Sequence, residues 1–168
     1  MKTMYIMIGN VGSGKSTIAK KIAKEKSAVV ISSDPIRQEL FDKGRFVEMH
    51  SRQADKLTFA EFHNRLRGFA KQGKDVVIDA TNTKVLDRRT FLDIAKEYGY
   101  TAVAVVVKTD IETCIKRVIK RQTSDPKSHY IDDPIAVANK FERFLKEQPA
   151  TKQEGFDEIV EIDNNSSL

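Results

Sequence analysis

The chain has 168 residues, of which 40% are hydrophobic and 32% are charged, and its formal net charge at pH 7 is +5. This length suits one domain with a substantial core, and this composition argues against a disordered chain. No apolar run approaches the roughly 20 residues that span a bilayer, and the N-terminus lacks the pattern of a secretory signal peptide. We therefore expect a cytoplasmic protein that has no membrane partner.

Five short, β-branched runs predict strands, and helical patterns separate them. In chain order the predicted strands are Met4 to Ile8, Ala28 to Ser32, Asp75 to Asp79, Thr101 to Val107 and Glu158 to Ile162. Near-continuous apolar strands are typical of a parallel sheet that is covered on both faces. The alternation predicts a single α/β domain over residues 1–168, with a five-stranded parallel sheet flanked by helices.

The first predicted strand runs into a glycine-rich loop with the spacing G-x-x-x-x-G-K-[ST]. Its residues are Gly9, Asn10, Val11, Gly12, Ser13, Gly14, Lys15, Ser16 and Thr17. In this pattern backbone N–H groups curl around a di- or triphosphate, and the N-terminus of the next helix points at the anion. Lys15 is expected to reach the β and γ phosphates, and Ser16 to bind Mg²⁺. The loop predicts a P-loop NTPase domain with ATP and Mg²⁺ as its cofactors.

Proline and glycine residues mark helix boundaries. Asp34-Pro35 and Asp133-Pro134 each place a capping acid before a first-turn proline. Gly73 and Gly99 follow helical runs and are expected to end them.

The residues after the second strand suggest an acceptor site, because ligands lie beyond the carboxyl ends of parallel strands. Asp34 is expected near the γ-phosphate, where its carboxylate can accept the proton of an attacking hydroxyl. Arg37, one turn later, can hold an anionic group of the acceptor. The alternative is that Asp34 only caps its helix, and the residues alone do not decide between the two roles.

The third strand ends in an acid. Asp79 has the form of a Walker B residue, which holds Mg²⁺ directly or through water, and we favour this role over that of a turn-forming residue. Arg88 and Arg89 follow on the next helix. We expect surface positions for both, from which one can face an acceptor.

The helix after the fourth strand leads into a turn-rich segment, which predicts a short lid over about residues 121–133. An arginine on a closing lid stabilises the charge that spreads over the transferred phosphoryl group. Arg121 is favoured for this role, with Arg117 as its nearest rival, and both are candidates for nucleotide binding. His129 and Tyr130 in the same segment are more typical of surface residues.

Two further features have structural interpretations. Cys114 shares a helical face with Ile111, Ile115 and Val118, which predicts a core thiol and not a nucleophile. The acidic C-terminal end, about residues 153–168, is expected to be solvated.

Taken together, the motifs resemble the 5′-kinase domain of polynucleotide kinase. The resemblance runs from about Met4 to about Phe144. It rests on the phosphate loop, Asp34-x-x-Arg37-Gln38, Asp79-x-Thr81-Asn82 with Arg88-Arg89, and the pairs Lys116-Arg117 and Lys120-Arg121.

The resemblance implies an adenylate-kinase-like fold and a role for each matching residue. It implies that Asp34 is the general base on a 5′-hydroxyl, that Arg37 grips a phosphate of the acceptor, and that Arg121 contacts the donor phosphates. Thr81, Asn82 and Arg88 become candidates for acceptor binding. Ser33 and Pro35 stand where those kinases have Arg and Asp, so the acceptor contacts there must differ.

Three functions stay open from the sequence. The first is a kinase for the 5′-hydroxyl of a polynucleotide, which would take single-stranded DNA or RNA, or a 5′ end, as its partner. The second is a small-molecule kinase acting on a nucleoside, nucleotide or sugar. The third, a non-catalytic NTP-binding or nucleic-acid-binding module, is least favoured because it needs neither a base nor paired lid arginines. A basic stretch from Met49 to Gln72 suits either a polynucleotide or a solvated helix face. A monomer is the default.

Overall fold

A computed structural model describes residues 1–41, 51–125 and 131–165. The strands are β1 (Thr3–Ile8), β2 (Val29–Ser32), β3 (Val76–Asp79), β4 (Thr101–Lys108) and β5 (Glu158–Asp163). The helices are α1 (Lys15–Lys26), α2 (Ser33–Leu40), α3 (Arg52–Lys71), α4 (Val85–Glu97), α5 (Ile111–Ser124) and α6 (Pro134–Glu147), with a 3₁₀ turn at Lys152–Glu154. Every predicted strand is present, and its ends lie within one residue of the prediction.

The five strands form one parallel sheet in the order β2-β3-β1-β4-β5. The predicted α/β fold is confirmed. The β1 strand lies in the centre, and both of its neighbours, β3 and β4, come from later in the chain. This order brings the loops that follow β1, β2 and β3 to the same edge of the sheet.

Alternate residues of β1 pack into cores on opposite faces of the sheet, as strand geometry requires. On one face, Met4, Ile6 and Ile8 join a buried cluster that includes Phe62 of α3 and Phe91 of α4. On the other, Met7 packs with buried valines of β3 and β4 and with α1. Burial on both faces accounts for the continuous apolar character of β1, β3 and β4.

The helix boundary signals had different outcomes. Asp133 caps α6 through a bond from the N–H of Ala136 (3.0 Å), and Gly73 and Gly99 follow the ends of α3 and α4, as predicted. Asp34 does not cap α2, because that helix already begins at Ser33. The capping alternative for Asp34 is therefore wrong, and its carboxylate lies exposed in the first turn.

Of two other predictions, one lies partly outside the described residues and the other agrees with the structure only in part. The lid at about 121–133 includes residues 126–130, and so His129 and Tyr130, which lie outside the described residues. The acidic C-terminal end is not simply solvated, because Asp157 accepts a bond from the N–H of Ala102 (2.8 Å) and Glu154 forms a buried ion pair described below. Across the three described ranges, no helix combines the length and the apolar character needed to cross a membrane.

Candidate active site

The glycine-rich loop lies between β1 and α1, at the carboxyl edge of the sheet. Gly12 and Gly14 have φ values of 71° and 88°, in the left-handed region that favours glycine. A Cβ on Gly12 would collide with the carbonyl oxygen of Cys114, and one on Gly14 with the side-chain amide of Asn164. Backbone conformation and lack of space therefore both require glycine at these two positions.

Asn10 anchors the loop from within. Its buried side chain donates to the carbonyl of Ala138 in α6 (2.9 Å) and accepts from the N–H of Val11 (2.8 Å). Its own carbonyl accepts from the N–H of Ser13 (3.2 Å) and from the ammonium of Lys15 (3.2 Å). These bonds couple the loop to the helix that follows the predicted lid.

Lys15 lies at the centre of a group of charges. Burial lowers its pKa below the ordinary value of 10.5, Asp79 and then Asp34 act in the opposite direction, and Arg121 lowers the pKa further. Charges perturb one another in this way only at close range. The structure thus brings together four predicted site residues that come from four different elements of the chain.

The oxygen atoms expected to bind Mg²⁺ lie at the same edge. Asp79 is buried at the end of β3 and accepts a bond from the hydroxyl of Ser32, whereas Ser16 and Thr17 are exposed in the first turn of α1. The described residues contain no group of three or more His, Cys, Asp or Glu that could hold a metal ion. Mg²⁺ commonly binds through one or two protein oxygens, substrate phosphates and water. Ser16 and Asp79 fit an ion of that kind, carried by a nucleotide.

Arg37 is held against α3. Its guanidinium Nη1 lies 2.6 Å from Oδ1 of Asp55, and the side chain is largely buried. Sequence reasoning missed Asp55, since the residues are 18 positions apart and no spacing rule links them. Any acceptor anion at Arg37 would therefore share the guanidinium with a carboxylate.

The turn after β3 is built into the fold. The carbonyl of Thr81 accepts from the N–H of Gly9 (3.0 Å), and the side chain of Asn82 donates to the carbonyl of Met7 (2.8 Å). Asn82 is buried with a φ of 49°. Because its amide nitrogen is bonded to the backbone, Asn82 supports the turn, and its binding of an acceptor stays a prediction. Thr81 remains partly exposed.

Arg88 is fully buried, so the expected surface position is wrong. Its guanidinium bonds both carboxylate oxygens of Glu154 (2.8 and 3.1 Å) and the carbonyls of Asn82 and Gln148 (3.0 Å each). With its donors directed at the protein, Arg88 joins α4 to the segment before β5 and does not contact an acceptor. Arg89 is exposed, as expected.

The two candidate lid arginines differ in position. Arg117 directs its guanidinium at the back of the loop, towards the carbonyls of Ser13 (3.2 Å) and Gly12 (3.4 Å). Arg121 is exposed one turn later and acts on the charge of Lys15. Arg117 is thus bonded to the backbone of the loop, whereas contact of Arg121 with the nucleotide stays a prediction.

Cys114 is a core thiol, as predicted. It is fully buried, and burial raises the pKa of its thiol from 9.0 to about 11. A thiol of this kind is a poor nucleophile at neutral pH.

Comparisons with known proteins give a consistent family. A family model described as an AAA domain, AAA_33, matches residues 4–146. The chain is 25% identical over 158 residues to a putative bifunctional polynucleotide kinase/RNA ligase of Autographa californica nuclear polyhedrosis virus, covering 86% of this chain and 21% of that protein. It is 32% identical over 112 residues to a putative bifunctional polynucleotide phosphatase/kinase of Acanthamoeba polyphaga mimivirus, covering 66% of this chain and 22% of that protein. The chain thus spans about a fifth of the length of these relatives.

Solved structures match the fold at low sequence identity. A putative kinase from Chloroflexus aurantiacus has a TM-score of 0.74 at 13% identity, covering 98% of this chain and 89% of that one. A gluconokinase from Sinorhizobium meliloti has a TM-score of 0.61 at 16% identity, covering 98% of this chain and 84% of that one. At these identities the similarity concerns the fold alone.

Proposed function

The chain belongs to the AAA_33 family of AAA domains, and from this premise we propose that it is an ATP-dependent kinase that phosphorylates a hydroxyl group. The acceptor that we favour is the 5′-hydroxyl of a polynucleotide. The observation that carries the proposal is the clustering of Lys15 with Asp79, Asp34 and Arg121 at one edge of the sheet. A module that only binds nucleotide needs the loop and a metal-binding acid, but needs neither a second carboxylate nor an exposed arginine.

In the proposed reaction, the loop amides and Lys15 bind the β and γ phosphates of ATP. Mg²⁺, held by Ser16 with help from Asp79, would neutralise charge on these phosphates. Asp34 accepts the proton of the acceptor hydroxyl while the hydroxyl oxygen forms a bond to the γ-phosphorus. The bond between that phosphorus and the bridging oxygen breaks, ADP leaves, and Arg121 stabilises the charge on the transferred group.

Two observations support a polynucleotide acceptor. The two viral relatives described above are named as a polynucleotide kinase/RNA ligase and a polynucleotide phosphatase/kinase. Arg37, one turn after Asp34 in α2, also offers a guanidinium to an anionic group next to the reacting hydroxyl. A nucleotide 5′ end has such a group in its 3′-phosphate.

A small alcohol is the second candidate. A gluconokinase shares the fold over 98% of this chain, so the fold is compatible with a small acceptor as well. A small acceptor would be enclosed in a pocket, and its binding should depend little on salt, whereas binding of a polynucleotide should weaken steeply as salt rises.

The test is transfer of labelled γ-phosphate from ATP in the presence of Mg²⁺. Acceptors are DNA and RNA oligonucleotides with 5′-hydroxyl ends, compared with nucleosides and with sugars and gluconate, each at low and high salt. Lys15→Met and Asp34→Asn serve as catalytic controls, and Arg89→Met as a surface control. Labelling of oligonucleotides that is lost in both catalytic variants supports the proposal. Labelling of a small alcohol alone shifts the assignment to the second candidate, and no labelling of any acceptor rejects both.

A further inference from the structure

Three side chains converge on one carbonyl oxygen at the back of the glycine-rich loop. The carbonyl of Ser13 accepts from the side-chain amide of Asn164 (2.7 Å), the hydroxyl of Thr109 (2.9 Å) and the guanidinium of Arg117 (3.2 Å). Thr109 follows β4, Asn164 follows β5, and Arg117 lies in α5. A carbonyl oxygen has two lone pairs, so three donors at one oxygen form an unusually complete support.

This support determines the orientation of one peptide group. In a trans peptide the C=O and the following N–H point in opposite directions, and the described chain has no cis peptide bond. With the carbonyl of Ser13 held by these three donors, the N–H of Gly14 points away from them, which leaves it free to face the concave side of the loop. That is the side on which loops of this type bind phosphate.

We infer that Asn164 and Thr109, together with Arg117, are positioning residues that hold the Ser13–Gly14 peptide with its N–H directed at a nucleotide phosphate. The inference rests on the proposed binding of a nucleotide at this loop. It gives Arg117 a role different from nucleotide contact, and it adds two residues that no motif of the loop contains.

The supporting residues are themselves fixed. The carbonyl of Asn164 accepts from the guanidinium of Arg117 (3.0 Å), and its N–H donates to the carbonyl of Lys108 (2.8 Å). The amide of Asn164 also occupies the space that a Cβ on Gly14 would need. The three donors and the loop therefore form one bonded unit, in which the loss of a single donor leaves the peptide freer to rotate.

The first experiment isolates the loop from base recognition and from catalysis. Inorganic tripolyphosphate with Mg²⁺ is the probe, and its binding is measured by calorimetry. Thr109→Val removes the hydroxyl at nearly constant shape, and Thr109→Ser keeps it. We expect Thr109→Val to weaken binding about fivefold, as befits one lost hydrogen bond, and Thr109→Ser to stay within about twofold of the wild type.

The second experiment uses Asn164→Ala, with Asn139→Ala as its control. Asn139 is exposed, and its amide donates to the carbonyl of Ile135 within α6. We expect Asn164→Ala to raise the KM for ATP about fivefold and to lower kcat, while the KM for the acceptor stays constant. A purely structural role would instead lower Tm and the concentration of active enzyme without separating the two KM values.

The outcomes distinguish this inference from the proposed function. Tripolyphosphate binding that depends on the Thr109 hydroxyl, without transfer to any acceptor, supports the positioning role and rejects the kinase. Equal binding by the wild type, Thr109→Val and Thr109→Ser overturns the positioning role, even if transfer to an acceptor is observed. Absence of tripolyphosphate binding by the wild type also overturns it. If Asn164→Ala fails to fold, the two Thr109 variants still decide the question.

Discussion

Ser32 and Asp79 end neighbouring strands as register partners, and the hydroxyl of Ser32 donates to Oδ2 of Asp79 at 2.9 Å. The bond spans β2 and β3, so it fixes the carboxylate relative to the sheet and not only within its own turn. A hydrogen bond from a second residue restricts the orientation of a buried carboxylate. Carboxylates that bind metals are usually oriented by such hydrogen bonds. Ser32 thereby connects the fold to the proposed binding of Mg²⁺.

We predict that Ser32→Ala raises the Mg²⁺ concentration needed for half-maximal phosphoryl transfer by about tenfold. The carboxylate of Asp79 would lose its fixed orientation, and the maximal rate at saturating Mg²⁺ should fall less. Rates measured over a Mg²⁺ series at constant ATP provide the readout. Asn139→Ala, which removes an exposed amide bonded within α6, should leave the series unchanged. The same Mg²⁺ dependence in Ser32→Ala and wild type would contradict the role given to this bond.

The buried ammonium of Lys15 should lower the stability of the protein when no nucleotide is bound. Burial lowers its pKa below 10.5, so the unfolded chain binds more protons between the folded pKa and 10.5, and stability rises with pH across that window. Below the pKa that Lys15 has in the folded chain, the full loss of stability from burying the charged ammonium is present. We therefore predict that Lys15→Met raises the Tm of the unliganded protein by up to about 3 °C while lowering transfer about 100-fold or more.

Thermal unfolding without nucleotide tests this prediction. Lys20→Met, on the exposed part of α1, is the matched control and should leave both Tm and activity near wild type. A lower Tm in Lys15→Met would show that the bond from Lys15 to the carbonyl of Asn10 outweighs the cost of burying the ammonium.

The ion pair of Arg37 with Asp55 predicts that the Asp55 carboxylate competes with an anionic group of the acceptor for the Arg37 guanidinium. Asp55→Asn removes the carboxylate charge that faces the guanidinium at 2.6 Å, so an anionic acceptor group would meet a less neutralised arginine. We expect the KM for a 5′-hydroxyl nucleoside 3′-monophosphate to fall about threefold, while the KM for the uncharged nucleoside stays constant. Equal effects on both acceptors would place Arg37 outside the acceptor site.

The positions of β1, β3 and β4 were predictable because each is a compact apolar run that is largely buried in the sheet. The edge strand β5 is only partly buried and carries exposed acids, so its prediction rested on its Ile and Val residues. The start of α2 was not predictable, since the capping signal of Asp34-Pro35 predicts a helix that begins at Pro35, whereas α2 begins two residues earlier, at Ser33. Proline suits any position of the first helical turn, so the signal identifies the turn and not the cap.

In the site, too, some residues could be predicted from the sequence and others could not. The loop and Asp79 follow from contiguous motifs, whereas Asp55 and Asn164 are brought to their partners only by tertiary folding. Asn164 could have been found by extending the strand-end rule to the fifth strand. The burial of Arg88 depends in the same way on tertiary partners, because an arginine is rarely buried unless it is paired and Glu154 lies 66 positions away in the chain.

Arg88 should be among the residues most important for stability. Its buried guanidinium pairs with Glu154, and removing one partner leaves the other as an uncompensated charge. We predict that Arg88→Met lowers the free energy of unfolding by about 3–5 kcal/mol. Arg89→Met, its exposed neighbour, should change it by less than about 0.5 kcal/mol. Urea denaturation measures both values.

The double variant Arg88→Met, Glu154→Met tests the cause. Because it leaves no unpaired charge, it should be more stable than Arg88→Met alone. Additive losses from the two substitutions would show that packing, and not the ion pair, accounts for the effect.

Cys114 gives a prediction with a defined pH window. Burial raises the pKa of its thiol from 9.0 to about 11, so between these values the folded chain retains a proton that the unfolded chain releases. Stability from this group is complete below pH 9 and is lost as the pH rises through 11, with a total of at most about 3 kcal/mol. Cys114→Ala adds a cavity whose cost does not depend on pH. Urea denaturation from pH 8 to 11 should therefore show a shallower decline in stability for Cys114→Ala than for the wild type. Parallel declines would mean that the thiol ionises equally easily in the folded and unfolded chains.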